Sequence, residues 1–142
     1  MTNTSTAVTD VDWLLDDLVE RVPGVERVVA LSSDGLLEGQ SADLSEQDAE
    51  HLSAAASAFH SLARGTGRHF GGGEVHQTVV EMQRCFLLVT AVSTSACLAV
   101  FADVDANLGM VTYETNMLVT KVGAALAPAT RRSREATPRM TA

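Results

Sequence analysis

Histidines are the side chains in this sequence with the strongest potential for metal binding or proton transfer. His51 and His60 are nine positions apart, which on a helix places them about 180° from each other, so they cannot share a metal ion. His69 and His76 flank a glycine-rich run without cysteines or carboxylates at the spacing of a ligand set. We therefore interpret all four histidines as surface residues and predict no metal site.

Other residues with catalytic potential do not form a recognisable pattern either. None of the serines lies in a G-x-S-x-G motif. Asp16 and Asp17 are adjacent carboxylates, but they fall on the predicted exposed face of a helix, where solvated charges are ordinary. Cys85 and Cys97 lie in apolar, strand-like runs and are interpreted as small buried hydrophobic residues. The sequence therefore predicts a protein that is not an enzyme and that uses no cofactor.

A glycine-rich run at residues 66–73, TGRHFGGG, invites comparison with phosphate-binding loops. Its glycines match neither the P-loop nor the dinucleotide fingerprint. It also follows a predicted helix and precedes a predicted strand, whereas phosphate loops aim backbone amides from a strand end into a helix. We interpret the run as a flexible connector and predict no nucleotide site there.

Composition indicates one globular domain that does not bind nucleic acid. The chain has 142 residues, of which 46% are hydrophobic, and a formal net charge of −8. Residues 1–127 hold 17 acidic and six basic side chains, and such an acidic body repels nucleic acid. The basic segment 128–142 and residues 1–8 are predicted to be disordered. With no secretory leader and no apolar run of the ~20 residues that span a bilayer, we expect a cytoplasmic protein without membrane insertion.

The elements are organised around a helix predicted from Ser45 to about residue 64. Ser45 is a suitable N-cap, and Asp48 three positions later completes a variant of the capping box. At 100° per residue, one stripe is expected to lie on the sheet, formed by Ala49, Leu52, Ala55, Ala56, Phe59, Leu62 and Ala63.

The opposite face of this helix is predicted to carry mostly small side chains: Glu50, Ser53, Ala54, Ser57, Ala58 and Ser61. A solvated helix face usually carries long charged residues that pair along the helix. Small side chains let a second helix approach closely, so two copies of this helix are predicted to meet across a dimer axis. An alanine-rich solvent face that merely favours helix formation is the alternative.

The rest of the chain supplies a sheet and two further helices. A first helix is predicted from a cap at Thr9, with Val11, Leu14, Leu15, Leu18 and Val22 as its apolar stripe and Pro23-Gly24 as its end. Strands at 25–32 and 36–40 flank Asp34-Gly35, which predicts a tight hairpin with positive φ at both central residues.

Three strands at 74–82, 84–92 and 96–102 are joined by turns too short for crossovers, so they form an antiparallel meander. The polar first strand of the three fits a sheet edge that could pair with its own symmetry mate. A last helix follows a cap at 103–107, with Leu108, Val111, Thr115, Leu118, Val122 and Ala125 as its stripe. We predict an α+β fold in the order α-β-β-α-β-β-β-α, whose five-stranded antiparallel sheet has one helix on one face and two on the other.

The order of these elements resembles the roadblock / dynein-light-chain domain family. The resemblance rests on the turn at 33–36, the Ala/Ser-rich helix, the meander and the Asn107-Leu108-Gly109 start of the last helix, and it makes 9–127 a roadblock-like domain. The run SLARGTGRHFGGG at 61–73 is typical of actinobacterial, conservon-type members, which are encoded in small operons beside a sensor-kinase-like ATPase and a Ras-like GTPase.

The resemblance implies a homodimer in which the second helices pack antiparallel and the third strands join the two sheets. It also implies a regulator or scaffold for a small Ras-like GTPase, as in the bacterial motility relative that activates GTP hydrolysis by its partner. Arg64 and Arg68, near the interface helix, could reach a nucleotide or could equally hold the loop. The implied interface residues are Glu50, Ala54, Ser57, Ala58, Ser61, Val75, Gln77 and Val79.

Two other functions are consistent with the sequence. A structural adaptor would hold a sensor-kinase-like partner without changing GTP turnover. A small-molecule sensor would need a cavity with convergent polar groups, and the apolar strands offer few of these.

Overall fold

The computed structural model describes residues 2–126, with side chains from Asp10 onward. Its helices are α1 (Thr2–Arg21), α2 (Glu46–Phe70) and α3 (Leu108–Leu126), and its strands are β1 (Val25–Ser32), β2 (Leu37–Gln40), β3 (Gln77–Glu81), β4 (Cys85–Ser93) and β5 (Ala96–Asp103). This is the predicted order of elements. The disordered tail predicted for 128–142 lies outside the described residues.

The five strands form one antiparallel sheet in the order β2-β1-β5-β4-β3. Alternate residues of the central strands point to opposite faces, so Val28 and Val100 join a core with α1 and α3, while Val29 and Ala99 join a core with α2. The predicted α+β fold, with one helix on one face and two on the other, is confirmed.

Helix α1 begins at Thr2, seven residues before the predicted cap at Thr9, so the cap prediction is wrong. The helix takes in residues 2–8, which were expected to be disordered, and the domain limits 9–127 stay a prediction. No proline or glycine interrupts this stretch, and Pro23-Gly24 ends the helix as expected. The predicted stripe is largely confirmed, because its fully buried side chains are Val11, Leu15, Leu18 and Val22.

Two carboxylates of α1 bond to backbone rather than forming a purely solvated face. Asp12 Oδ1 accepts a hydrogen bond from the Gln40 N–H at 2.9 Å, and Asp16 Oδ1 accepts one from the Ala42 N–H at 2.5 Å. These bonds corroborate the position of α1 beside the end of β2. Our interpretation of Asp16 as a merely solvated charge was wrong, because its carboxylate accepts a hydrogen bond from a backbone N–H in the segment that follows β2.

The β1–β2 connection is wider than the predicted two-residue turn. Gly35 has φ +90°, whereas Asp34 is not among the described residues with positive φ. The Gly35 N–H bonds to the Ser32 carbonyl and the Ser32 N–H bonds to the Leu36 carbonyl, both at 2.9 Å. The longer turn needs only one left-handed residue, which glycine supplies without strain.

Helix α2 begins as predicted and ends later than predicted. Ser45 Oγ accepts a hydrogen bond from the Asp48 N–H at 3.0 Å, which confirms the N-cap. The helix continues through Gly65 and Gly67 to Phe70, so the predicted end near residue 64 is wrong, and only the part after Phe70 forms a loop. Single glycines cost a helix only about 1 kcal/mol each, and this helix stops where Gly71 adopts φ +70°.

Helix α3 starts at a side-chain cap, since Asn107 Oδ1 accepts a hydrogen bond from the Met110 N–H at 3.0 Å. Four of the six predicted stripe residues are buried, namely Val111, Thr115, Leu118 and Val122. None of the three described helices combines the length and apolar character needed to cross a membrane.

Candidate interaction surface

The face of α2 that lies on the sheet differs from the predicted stripe by roughly a quarter turn. The side chains that the helix buries are Ala49, Ser53, Ala56 and His60. Phe59 and Leu62, which we expected to face the sheet, are 38% and 70% exposed. Small side chains on the inward face let the helix lie close to strands whose own valines and leucines fill the layer between them.

The outward face of α2 is consequently more apolar than predicted. Ala54, Ala58 and Leu62 follow one another at four-residue spacing, and all three are exposed. Glu50 and Ser61, also predicted for an interface, are exposed as well. An exposed leucine in a row with alanines is typical of a surface that packs against another protein chain. We refer to Glu50, Ala54, Ala58, Ser61 and Leu62 together as the outward face of α2.

Two serines from the predicted small face point inward instead. Ser53 is buried. Ser57 is half-buried, and its hydroxyl donates a hydrogen bond to the Ser33 carbonyl at 3.0 Å. The same contact explains Gly35, because a Cβ there would lie 3.2 Å from the Ser57 Cβ. Ser57 therefore holds α2 against the β1–β2 turn.

Strand β3 places the other predicted interface residues at one edge of the sheet. It pairs with β4 alone, so its second edge has no partner within the part of the chain that the structure describes. Gln77 and Val79 are exposed, whereas Val80 packs into the core beneath α2. Val75 precedes the strand and is half-buried. An edge of this kind leaves backbone N–H and C=O groups available to another strand.

His60 is buried rather than on the surface, and our surface prediction for it was wrong. Its side chain is 7% exposed, and burial, with a smaller effect from the charge of Arg64, holds its pKa below the usual value. The spacing does contain the signal, since His60 lies seven residues after Ser53 and eleven after Ala49, on one helix face.

Helix α3 carries a second, exposed apolar stripe that we did not predict in addition to its buried one. Met110, Tyr113 and Met117 are 41%, 61% and 57% exposed, and their spacing of three and four residues places them on one face of the helix.

Both cysteines are free, with Cys97 buried and Cys85 half-buried. Within residues 10–126, no three His, Cys, Asp or Glu side chains are grouped so that they could hold a metal ion.

A family model and two solved structures similar to this chain point to the same protein family. The family model for the Roadblock/LC7 domain matches residues 11–102. A Roadblock/LC7 domain structure from Streptomyces avermitilis is 42% identical, with a TM-score of 0.79, and the match covers 82% of this chain and 98% of that one. A second Roadblock/LC7 structure from that organism is 38% identical, with a TM-score of 0.65 over 78% of this chain and 96% of the other.

More distant structures share the fold. Myxococcus xanthus MglB is 18% identical, with a TM-score of 0.71 over 88% of this chain and 90% of its own. No match was found among curated proteins. The family model, the two Streptomyces structures and the α-β-β-α-β-β-β-α order agree, and the chain belongs to the Roadblock/LC7 domain family.

Proposed function

We propose that the chain forms a homodimer in which the outward faces of α2 pack antiparallel and the two β3 strands pair. The observation that carries this proposal is an exposed row of Ala54, Ala58 and Leu62 on a helix that also contacts the strand with the free edge. Packing would bury the leucine, and strand pairing would satisfy the unpaired backbone groups of β3. A two-fold axis requires a self-complementary patch, and side chains as small as alanine meet their own copies without clash.

We further propose that the dimer binds a small Ras-like GTPase in the cytoplasm, as a regulator or scaffold without catalytic chemistry of its own. Membership of the Roadblock/LC7 family supports this role, as does the shared fold of MglB. The acidic body, with a chain net charge of −8, argues against nucleic acid as the partner. A sensor-kinase-like ATPase would be a further protein of the same complex.

A nucleotide-controlled pull-down tests the GTPase partner. The full chain is immobilised and exposed to lysate of its own organism in the presence of either a non-hydrolysable GTP analogue or GDP, with uncoupled resin as the control. We expect a Ras-like GTPase to be retained preferentially in one nucleotide state, because such GTPases rearrange their switch segments around the γ-phosphate. Absence of any GTPase from both samples would contradict the proposal.

The turnover of the captured GTPase then separates regulator from adaptor. The purified GTPase is assayed for GTP hydrolysis with and without the full chain. Faster hydrolysis identifies a regulator. Binding with an unchanged rate identifies an adaptor that assembles the complex without affecting the nucleotide.

A further inference from the structure

A cleft lies beneath the C-terminal half of α2, beside the loop that follows it and the β4–β5 turn. Its volume is about 650 Å³, within the range of pockets that take small molecules. The polar side chains that line it include His60, Arg64, Arg68, His76, Ser93 and Thr94. The convergent polar groups that we did not expect from the apolar strands are therefore supplied by the helix and by the loops.

The cleft concentrates positive charge on an otherwise acidic protein. Arg64 and Arg68 are one helical turn apart, and neither forms an ion pair with any residue from 10 to 126. Arg21, by contrast, bonds to both Asp17 and Glu114. Glu74 is the one acidic residue among the described residues that line the cleft. Two guanidinium groups without carboxylate partners are available to bind an anion.

His60 supplies an independent sign of a ligand site. It lines the cleft, is only 7% exposed, and its Nδ1 has no hydrogen-bond partner among the side chains and backbone that the structure describes. Of the five buried side-chain atoms that lack a partner among the described residues, His60 Nδ1 is the one whose residue lines this cleft, where a bound molecule would supply the missing hydrogen bond. Cys97 also lines the cleft, and burial raises its pKa, so its thiol adds no competing negative charge.

Glycines shape the wall of the cleft opposite the sheet. A Cβ on Gly67 would lie 3.0 Å from the Gly73 carbonyl oxygen, so glycine at this position lets the loop fold back against the helix. Gly73 itself has φ +83°, which other residues rarely adopt. The glycine-rich run at residues 66–73, which does not match a phosphate-loop motif, thus forms one side of the cleft.

We propose that this cleft binds a small organic oxyanion, whose phosphate or carboxylate group is held by Arg64 and Arg68. The planar guanidinium fork matches the oxygens of both groups. The C-terminus of α2 carries the equivalent of about half a negative charge, which repels an anion. Binding of the anion therefore depends on the positive charges of the two arginines. A positive charge in the last turn of a helix is stabilised by the helix dipole, which by itself explains an arginine at position 68. Arg64 lies six residues before the end of α2, beyond the reach of the dipole, so helix stabilisation does not explain it.

Calorimetric titration of the full chain tests the site, with pyrophosphate and citrate as the anions and glycerol as the uncharged control, at constant ionic strength. We expect saturable binding of at least one anion and none of glycerol. Binding of pyrophosphate alone assigns a phosphate ligand, and binding of citrate alone assigns a carboxylate ligand. No saturable binding of either anion up to about 10 mM would overturn the proposal.

A matched pair of double variants assigns the binding to the cleft. Arg64→Gln/Arg68→Gln should weaken anion binding by about tenfold or more, because each arginine donates charge-assisted hydrogen bonds. Arg84→Gln/Lys121→Gln removes the same charge from exposed positions outside the cleft and should change it by less than about twofold. Equal losses in the two doubles would show non-specific charge attraction and would overturn the proposal. Circular dichroism of both variants checks that they are folded.

Discussion

Ser57 and His60, one turn apart on α2, illustrate two ways of placing a polar side chain under a helix. The Ser57 hydroxyl donates to the Ser33 carbonyl, so its burial fixes the helix on the β1–β2 turn. His60 has no such partner for Nδ1 among the described residues, and burial lowers its pKa. At neutral pH the imidazole is therefore uncharged, which avoids the cost of burying a cation.

This lowered pKa predicts a pH dependence of stability. Below the ordinary value of 6.5 the unfolded chain takes up a proton at His60 that the folded chain does not, so the free energy of unfolding falls as the pH drops from 6.5 towards the folded pKa. Urea denaturation at about pH 7.5 and about pH 5.5 measures this loss. In His60→Gln, which cannot titrate, the loss should be smaller than in the wild type.

His51→Gln is the matched control for this measurement. His51 is exposed on the same helix, so its replacement should leave the pH dependence of the wild type unchanged. If His60→Gln lost as much stability between the two pH values as the wild type, the histidine would not be the titrating group.

Helix α2 shows that the effect of a glycine on stability depends on the atoms around it. Gly65 and Gly67 both lie within the helix, two residues apart. A Cβ on Gly65 would meet nothing within 4 Å, whereas one on Gly67 would lie 3.0 Å from the Gly73 carbonyl oxygen. The first glycine therefore only weakens the helix, whereas the second leaves room for the returning loop to lie close to the helix.

Alanine substitutions should separate these two roles. Gly65→Ala should raise the free energy of unfolding by about 0.5–1 kcal/mol, because alanine has the higher helix propensity and the site has space for its methyl group. Gly67→Ala should be at least about 1 kcal/mol less stable than Gly65→Ala, because its methyl group displaces the loop. Urea midpoints of the two variants measure the difference. Equal stabilisation by both would contradict the close approach of loop and helix.

At the scale of the whole molecule, the outward face of α2 and the outer edge of β3 both lie without partners in the described part of the chain. Helices cover both faces of the sheet, so the central strands are buried on both sides. The outward face of α2 and the free edge of β3 are where a second copy would add contacts. The proposed homodimer continues the packing that a single chain leaves incomplete.

Ala58→Arg tests this assembly. Ala58 is at the middle of the outward face, and a two-fold axis would bring two arginines together, where bulk and like charge oppose packing. Sedimentation should show a dimer for the wild type and a monomer for the variant. The control Ala124→Arg, at an exposed position of α3, should stay dimeric. A dimeric Ala58→Arg protein would place the interface elsewhere.

The sequence by itself determined the features that depend on neighbours along the chain. The caps at Ser45 and Asn107, the buried stripe of α1 and the α-β-β-α-β-β-β-α order follow from local hydrogen bonding and from the periodicity of apolar residues. The interface residues of the homodimer and the GTPase partner remain predictions, because both depend on a second chain.

Only the tertiary structure decided the features that depend on distant residues. The rotation of α2 is set by how closely small side chains let it approach the sheet, which a helical projection cannot show. Three features each depend on segments far apart in the chain: the burial of His60, the hydrogen bonds that Asp12 and Asp16 accept from backbone N–H groups in and just after β2, and the cleft beside Arg64 and Arg68. Periodicity specifies which side chains share a face, but the free energy of packing decides which face turns inward.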